Sequence, residues 1–123
     1  MRFSFWISAQ HPWDDVVALA DHAAATGWEG VWIADHFMPN DDGALDQPMH
    51  ECFALLAALA ARVPEVRLGS LVAGNTYRHP AVLAKAATTI DHISGGRFVL
   101  GLGAGWQENE HERYGIDLGT RGE

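Results

Sequence analysis

Gly69-Ser-Leu-Val-Ala-Gly-Asn-Thr-Tyr-Arg-His-Pro80 is the stretch that decides the fold. An apolar run gives way to a polar loop, and a proline then opens a helical pattern. Proline suits the first turn of a helix, where its missing N–H would be unpaired anyway. The stretch therefore reads as strand, polar loop, helix. The same unit recurs to either side, and each time the polar residues follow the strand.

Downstream, Val82, Leu83, Ala86, Ala87, Ile90 and Ile93 recur at helical spacing, which predicts a buried stripe. Ser94-Gly-Gly96 is a tight stop, and Arg97 to Leu102 reads as the fourth strand. Gly103-Ala-Gly105 follows, with a helix from about Gln107 to Tyr114. Upstream, Val66 to Ala73 reads as the third strand, and Pro64 ends a helix that Pro48 opens. Phe53, Leu56, Leu59 and Ala60 are the apolar positions of that helix. Before it lie the polar loops 35–40 and 41–46. Gly30 to Ala34 is the second strand, apolar throughout, as a strand covered on both faces should be. The first unit is a strand over 2–7 and a helix opened by Pro12, with Asp14 and Asp15 near its positive end. Its apolar residues are Val16, Leu19, Ala20, Ala23 and Ala24, and Gly27 stops it.

Four alternating β-α units imply parallel strands with right-handed crossovers. Two α/β architectures fit: the N-terminal half of a (β/α)8 TIM barrel, and a small open flavodoxin-like sheet. The helix-to-strand connections Gly27-Trp-Glu29, Val63-Pro-Glu65 and Ser94-Gly-Gly96 are short and plain. The strand-to-helix connections carry His, Asp, Asn, Thr, Tyr and Arg. Both folds bind ligands at the carboxyl ends of their strands, so the chemistry belongs on that side.

The chain has 123 residues, 48% of them hydrophobic, and a formal net charge of -8. That is one domain at most. The acidic balance makes nucleic acid and anionic membranes poor partners. No stretch is long enough to span a membrane. Cys52 is the single cysteine, so no internal disulfide can form, and a reducing, cytoplasmic setting is expected. Cys52 falls in a helical apolar pattern and reads as core.

Asp35 and His36 directly follow the second strand. A histidine there can act as a general base or hold a substrate hydroxyl. Asp35 could orient a ring N–H or a cofactor amide. The alternative is a turn-capping aspartate beside a structural histidine. His11, His36, His50, His79 and His111, with Glu108, Glu110 and Glu112, would be the donors for a metal. They match no H-E-x-x-H or zinc spacing, so no metal site is assigned. At Gly103, Ala104 and Gly105 the backbone can approach a flat or anionic ligand, or simply turn. Gly74, Asn75 and Thr76 offer small and amide groups to a ring system. Arg78 either faces substrate or pairs with a carboxylate. Trp6, Trp13, Trp32 and Trp106 read as core, with Trp106, just past the glycine turn, the one suited to a ligand.

Three stretches carry a resemblance: Trp32-Ile-Ala-Asp-His-Phe37, Gly74-Asn-Thr-Tyr-Arg-His-Pro80, and Asp91-His-Ile-Ser-Gly-Gly-Arg-Phe-Val-Leu-Gly-Leu-Gly-Ala-Gly-Trp106. The chain resembles the bacterial luciferase-like monooxygenase superfamily, and most of all its deazaflavin (coenzyme F-420)-dependent oxidoreductases. The resemblance covers essentially the whole chain, 1–123, as a partial (β/α)8 barrel domain that stops after the fourth strand and helix. It implies a flavin-like ring across the carboxyl ends of the strands, either coenzyme F-420 or FMN, and a small organic substrate. It implies a non-proline cis peptide joining Leu71 and Val72 behind that ring. His36 maps to the family's base or substrate-hydroxyl ligand, Asp35 to its acid near the ring, Gly74 to the ring lining and Asn109 to a cofactor contact. The family's sugar dehydrogenases carry a glutamate where this chain has Trp106, which argues against their substrate. A full barrel needs about 250 residues. The expected activity is hydride transfer between an organic substrate and a deazaflavin, or FMN-dependent monooxygenation. The alternative is a non-catalytic fragment or assembly half. Expected partners are a homo-oligomer or a C-terminal half.

Overall fold

The computed structural model describes residues 1–41 and 44–120. The expected loop 41–46 thus falls partly, at Asp42 and Gly43, outside the described residues. Among the described residues ten elements follow one another: β1 (Ser4–Ile7), α1 (Trp13–Ala25), β2 (Gly30–Ile33), α2 (Cys52–Arg62), β3 (Arg67–Ser70), β4 (Ala73–Gly74), α3 (Pro80–Ser94), β5 (Phe98–Val99), β6 (Leu102–Gly103) and α4 (Glu108–Tyr114). The main sheet has the order β1-β2-β3-β5, and β4 pairs with β6 beyond its carboxyl end. Every pairing is parallel. Sequential parallel order is the arrangement of a barrel wall, not of an open sheet that reverses at a switch point. The chain is thus a partial barrel of four βα units.

Alternation along the strands sorts residues to two faces. Ile7, Val31, Ile33 and Leu68 are all within 1% of full burial beneath the helices. Val16, Ala20, Leu56 and Leu59 meet them from α1 and α2. Trp6 and Trp32 are register partners on the opposite face. There Trp6 is 54% exposed, and Trp32 lies over Gly69, where an added Cβ would sit 2.0 Å from the indole ring. The expectation of core tryptophans therefore fails for Trp6, and also for Trp13, which are exposed; Trp106, the one read as suited to a ligand, is exposed as well. The Trp6 indole, on the inner face of the barrel wall, has no helix to pack against.

The helix boundaries show what the local chemistry prefers. α3 begins at Pro80, with the His79 ring accepting the Ala81 N–H at 3.2 Å. It ends at Gly95 in the left-handed region, φ 67°, a conformation glycine adopts without penalty. Leu83, Ala87 and Ile90 are buried, but Val82 and Ile93 are exposed, so the buried stripe is narrower than its periodicity predicts. α2 starts at Cys52, four residues after Pro48. The Glu51 carboxylate accepts the Ala54 N–H at 2.6 Å and caps the helix there, while the His50 N–H is drawn to the Ala9 carbonyl at 2.9 Å.

The third and fourth strands are each split, where the sequence reads as continuous. Between β3 and β4 lies the cis peptide Leu71–Val72, which is not a proline bond. Alongside it, the Ser70 hydroxyl donates to the Gly101 carbonyl at 2.8 Å and accepts the Gly101 N–H at 3.1 Å. A side chain thus takes the place of one rung of the ladder. Among the described residues, no helix is long and apolar enough to cross a membrane.

Candidate active site

Carboxyl ends of β2, β3–β4 and β5–β6 converge on one cavity of about 140 Å³. His36 stands on its rim, with Val72, Gly74, Gly103, Gly105 and Trp106 around it. A second, larger hollow of about 320 Å³ lies on the other side of His36 and is lined by Trp6, Met38, Met49 and Leu71 among others. His36 and Leu71 belong to both. One imidazole therefore stands between a glycine-lined shelf and a mostly apolar hollow.

Beneath His36 is Glu110, from the first turn of α4 and fully buried. A buried carboxylate is tolerated only when its lone pairs are taken up. Here His36 Nδ1 lies 2.9 Å from Oε2, and the Tyr77 hydroxyl donates to the same oxygen. The Phe37 N–H donates to Oε1, and so does the Met38 N–H at 3.2 Å. Burial alone would push the Glu110 carboxyl up, but the bonds from His36, Tyr77 and Phe37 outweigh it and hold it below the ordinary range. Burial, together with the hydrogen bond to Glu110, raises the Tyr77 hydroxyl, which stays protonated.

Asp35 is also buried, and Arg78 meets it in a forked pair, Nη1 to Oδ2 at 2.6 Å and Nη2 to Oδ1 at 2.9 Å. The Gly74 N–H adds a third bond to Oδ2, at 3.0 Å. Asp35 lines the cavity wall, yet its oxygens are engaged by protein donors, and what it holds is the Gly74 backbone. Arg78 also pairs with Glu51 and lies 4.7 Å from the centre of the Phe53 ring. Burial works against its charge, but the two carboxylates overcome that and push its pKa up. Of the two roles open to Arg78, the ion pair is the one observed.

His111, next to Glu110, serves structure. Its Nδ1 lies 2.7 Å from the Gln107 carbonyl, which can only accept, so Nδ1 carries the proton. Nε2 then accepts from the Thr76 hydroxyl at 2.6 Å. Cys52 is buried, its thiol pushed up by burial and directed at the Ile33 carbonyl 3.6 Å away. Among the described residues no group of three His, Cys, Asp or Glu could hold a metal ion.

The expected cofactor residues divide in two. Asp35, Leu71, Val72, Gly74, Gly103 and Gly105 line the shelf cavity. Asn75, Ala104 and Asn109 do not; Asn109 lies with Trp106 and Glu112 around a neighbouring surface hollow. Asn75 instead ties the two short strands, its N–H bonding the Gly103 carbonyl at 2.9 Å. Sequence reasoning named Glu110 only as a possible metal donor and Tyr77 only as substrate-facing or helix-packing, and missed that both bond at His36. A signal was present: Glu108–Tyr114 (Glu-Asn-Glu-His-Glu-Arg-Tyr) has no aliphatic stripe, so if that helix packs at all, it must bury polar groups.

The shelf offers no free charge. Asp35 is neutralised by Arg78, and the ionised Glu110 lies beneath His36, outside the cavity lining, with its oxygens taken up by its donors. Its surface is backbone at Gly74, Gly103 and Gly105, flanked by the exposed apolar side chains of Leu71, Val72 and Trp106. Such a surface fits the face of a neutral planar ring.

The luciferase-like monooxygenase family model matches residues 1–123, and the chain belongs to that family. It is 34% identical to 4-hydroxyprotoasukamycin monooxygenase of Streptomyces nodosus subsp. asukaensis, over 95% of this chain and 32% of the relative. It is 37% identical to the F420-dependent glucose-6-phosphate dehydrogenase of Amycolatopsis mediterranei, over 78% of this chain and 28% of the relative. Among solved structures, the coenzyme F420 dependent tetrahydromethanopterin reductase of Methanopyrus kandleri superposes with a TM-score of 0.76 at 25% identity, covering 93% of this chain and 30% of that one. The chain spans about a third of the length of these relatives.

Proposed function

We propose that this chain forms the ring-binding and proton-handling part of a luciferase-like oxidoreductase. The cofactor is a deazaflavin of the coenzyme F-420 type, with FMN as the alternative. The observation that carries this reading is the convergence of His36 with the uncharged shelf of Val72, Gly74, Gly103 and Gly105 on one cavity. Leu71 and Val72 would back the ring, Gly74 and Gly103–Gly105 would lie along it, and Asn75 and Asn109 would reach its substituents from outside the cavity. When bound, a deazaflavin supplies hydride transfer at its ring, whereas a reduced flavin supplies reaction with oxygen. The remaining chemistry belongs to the chain. The hollow beside His36 takes a small organic substrate, and its apolar lining excludes water. His36 accepts the proton of a substrate hydroxyl as that carbon is oxidised, or returns it in reduction.

Relatives with both monooxygenase and F420-dependent dehydrogenase names support the class. The pattern at Trp106 favours a substrate other than a sugar phosphate. Among the described residues no free cation faces the hollow: its lining is Trp6, Ser8, Gln10, Ala34, His36, Met38, Pro39, Asn40, Met49 and Leu71. The test is a pair of assays, reduction of F420 by alcohols and oxygen uptake with reduced FMN, on the wild type and His36→Ala. Turnover in either assay that falls at least tenfold in His36→Ala supports the reading; turnover that His36→Ala leaves unchanged removes it.

A second reading follows from the inner face of the sheet. Trp6 is 54% exposed and Leu102 56%, and a barrel wall would have these side chains covered. We infer that a further segment or a second chain covers them, in which case the isolated chain is an inactive assembly half. Concentration-dependent association, or activity gained on adding the remaining barrel segment, distinguishes this reading.

A further inference from the structure

Ionised Glu110 can only accept hydrogen bonds, and its Oε2 lies 2.9 Å from His36 Nδ1. The proton of a neutral His36 must therefore sit on Nδ1. Nε2 makes no hydrogen bond to any described residue and is not among the enclosed, unpartnered polar atoms. It is the open lone pair of the ring, at the rim shared by the two cavities. We propose that Glu110 is a positioning residue that locks His36 as the Nδ1–H tautomer, so that Nε2 is the atom that exchanges a proton with substrate. This rests on the proposed function for its use, but the tautomer itself does not.

Five contacts make the lock stiff. The Phe37 and Met38 amides fix Oε1 on the same turn that carries His36. The Tyr77 hydroxyl shares Oε2, and its ring stacks on Phe37 at 4.7 Å. Trp106 abuts the imidazole edge-on at 5.7 Å. Asp35, the residue before His36, is paired with Arg78. His111 is tied to Gln107 and Thr76. Glu110 is thus the one charged group in contact with His36 among the described residues.

Glu110→Gln reverses the logic at nearly constant volume. The amide oxygen can keep the Phe37 and Met38 N–H groups, and the NH2 then faces His36. Nδ1 must accept, the proton moves to Nε2, and the ring presents a donor where it had presented an acceptor. The experiment is 15N NMR of histidine-labelled protein at neutral pH without cofactor, with His36→Asn used to assign the signal among the seven histidines. The expected result is an Nδ1–H signature for His36 in the wild type and in Tyr77→Phe, and an Nε2–H signature in Glu110→Gln. An Nε2–H signature in the wild type overturns the proposal even if Glu110→Gln fails to fold. So does the same tautomer in wild type and a folded Glu110→Gln. Because no cofactor is present, neither outcome depends on whether the protein is an oxidoreductase. In the assay of whichever activity is found, Glu110→Gln should lower kcat with KM little changed.

Discussion

Consider replacing Asp35 by Asn and Arg78 by Met, singly and together. The Asp35 side chain is wholly buried and that of Arg78 13% exposed, and the two are joined by contacts of 2.6 and 2.9 Å. Removing either partner strands a buried charge, at a cost of about 3–5 kcal/mol. Arg78 retains Glu51, which is 40% exposed, so Asp35→Asn should fall at the lower end and Arg78→Met at the upper. Unfolding entropy of roughly 2.1 cal/mol/K per residue over 123 residues makes each kcal/mol worth about 4 °C. The single variants should therefore melt about 12–20 °C below the wild type. The double variant removes both charges and should lose much less than the sum, with a coupling of about 2 kcal/mol or more. Thermal unfolding by circular dichroism reads all four proteins. Additive losses, or single losses under about 1 kcal/mol, would refute the view that this pair holds the Gly74 corner of the shelf.

Other consequences can be checked on the same material. The Glu110 carboxyl is held below its ordinary value, so its contribution to stability is present above about pH 4.3 and is lost as pH falls further, through the folded value. The stability gap between wild type and Glu110→Gln should thus narrow on acidification in urea melts, and a gap that widens contradicts the assignment. Gly103→Ala would place a Cβ 2.5 Å from Val72 Cγ2. Overpacking costs about 1–3 kcal/mol, so affinity for the ring should drop roughly 5- to 150-fold; fluorescence titration that finds it unchanged would move the ring elsewhere. Gly69→Ala meets the Trp32 ring at 2.0 Å and the Val99 carbonyl at 2.7 Å. It should destabilise by a similar amount, with a shift in tryptophan emission.

Much of the fold could be read because its punctuation is local. Pro12 and Pro80 sit at or beside helix starts, and Gly27 and Gly95 at their ends, as backbone conformation demands. Pro48 misled because a side-chain cap at Glu51 overrode it. Continuous strands were expected over 66–73 and 97–102 because apolar runs do not reveal a rung replaced by the Ser70 hydroxyl. The cis bond at Leu71–Val72 came from family resemblance alone. In the site, His36 was legible because it directly follows an apolar strand. Glu110 was not, since its partners His36, Phe37 and Met38 lie more than 70 residues away. The pairing of Arg78 with Asp35, 43 residues apart, is equally invisible to spacing. Long-range electrostatics placed those groups, and no periodicity encodes it.

The most direct measurement is a titration of the purified chain with oxidised coenzyme F-420 and, in parallel, with FMN, followed by ligand fluorescence. The account predicts saturable binding of one of the two, weakened in Gly103→Ala. Saturable binding that Gly103→Ala leaves intact, or no binding of either at millimolar ligand, would contradict the claim that Val72, Gly74, Gly103 and Gly105 form the ring site.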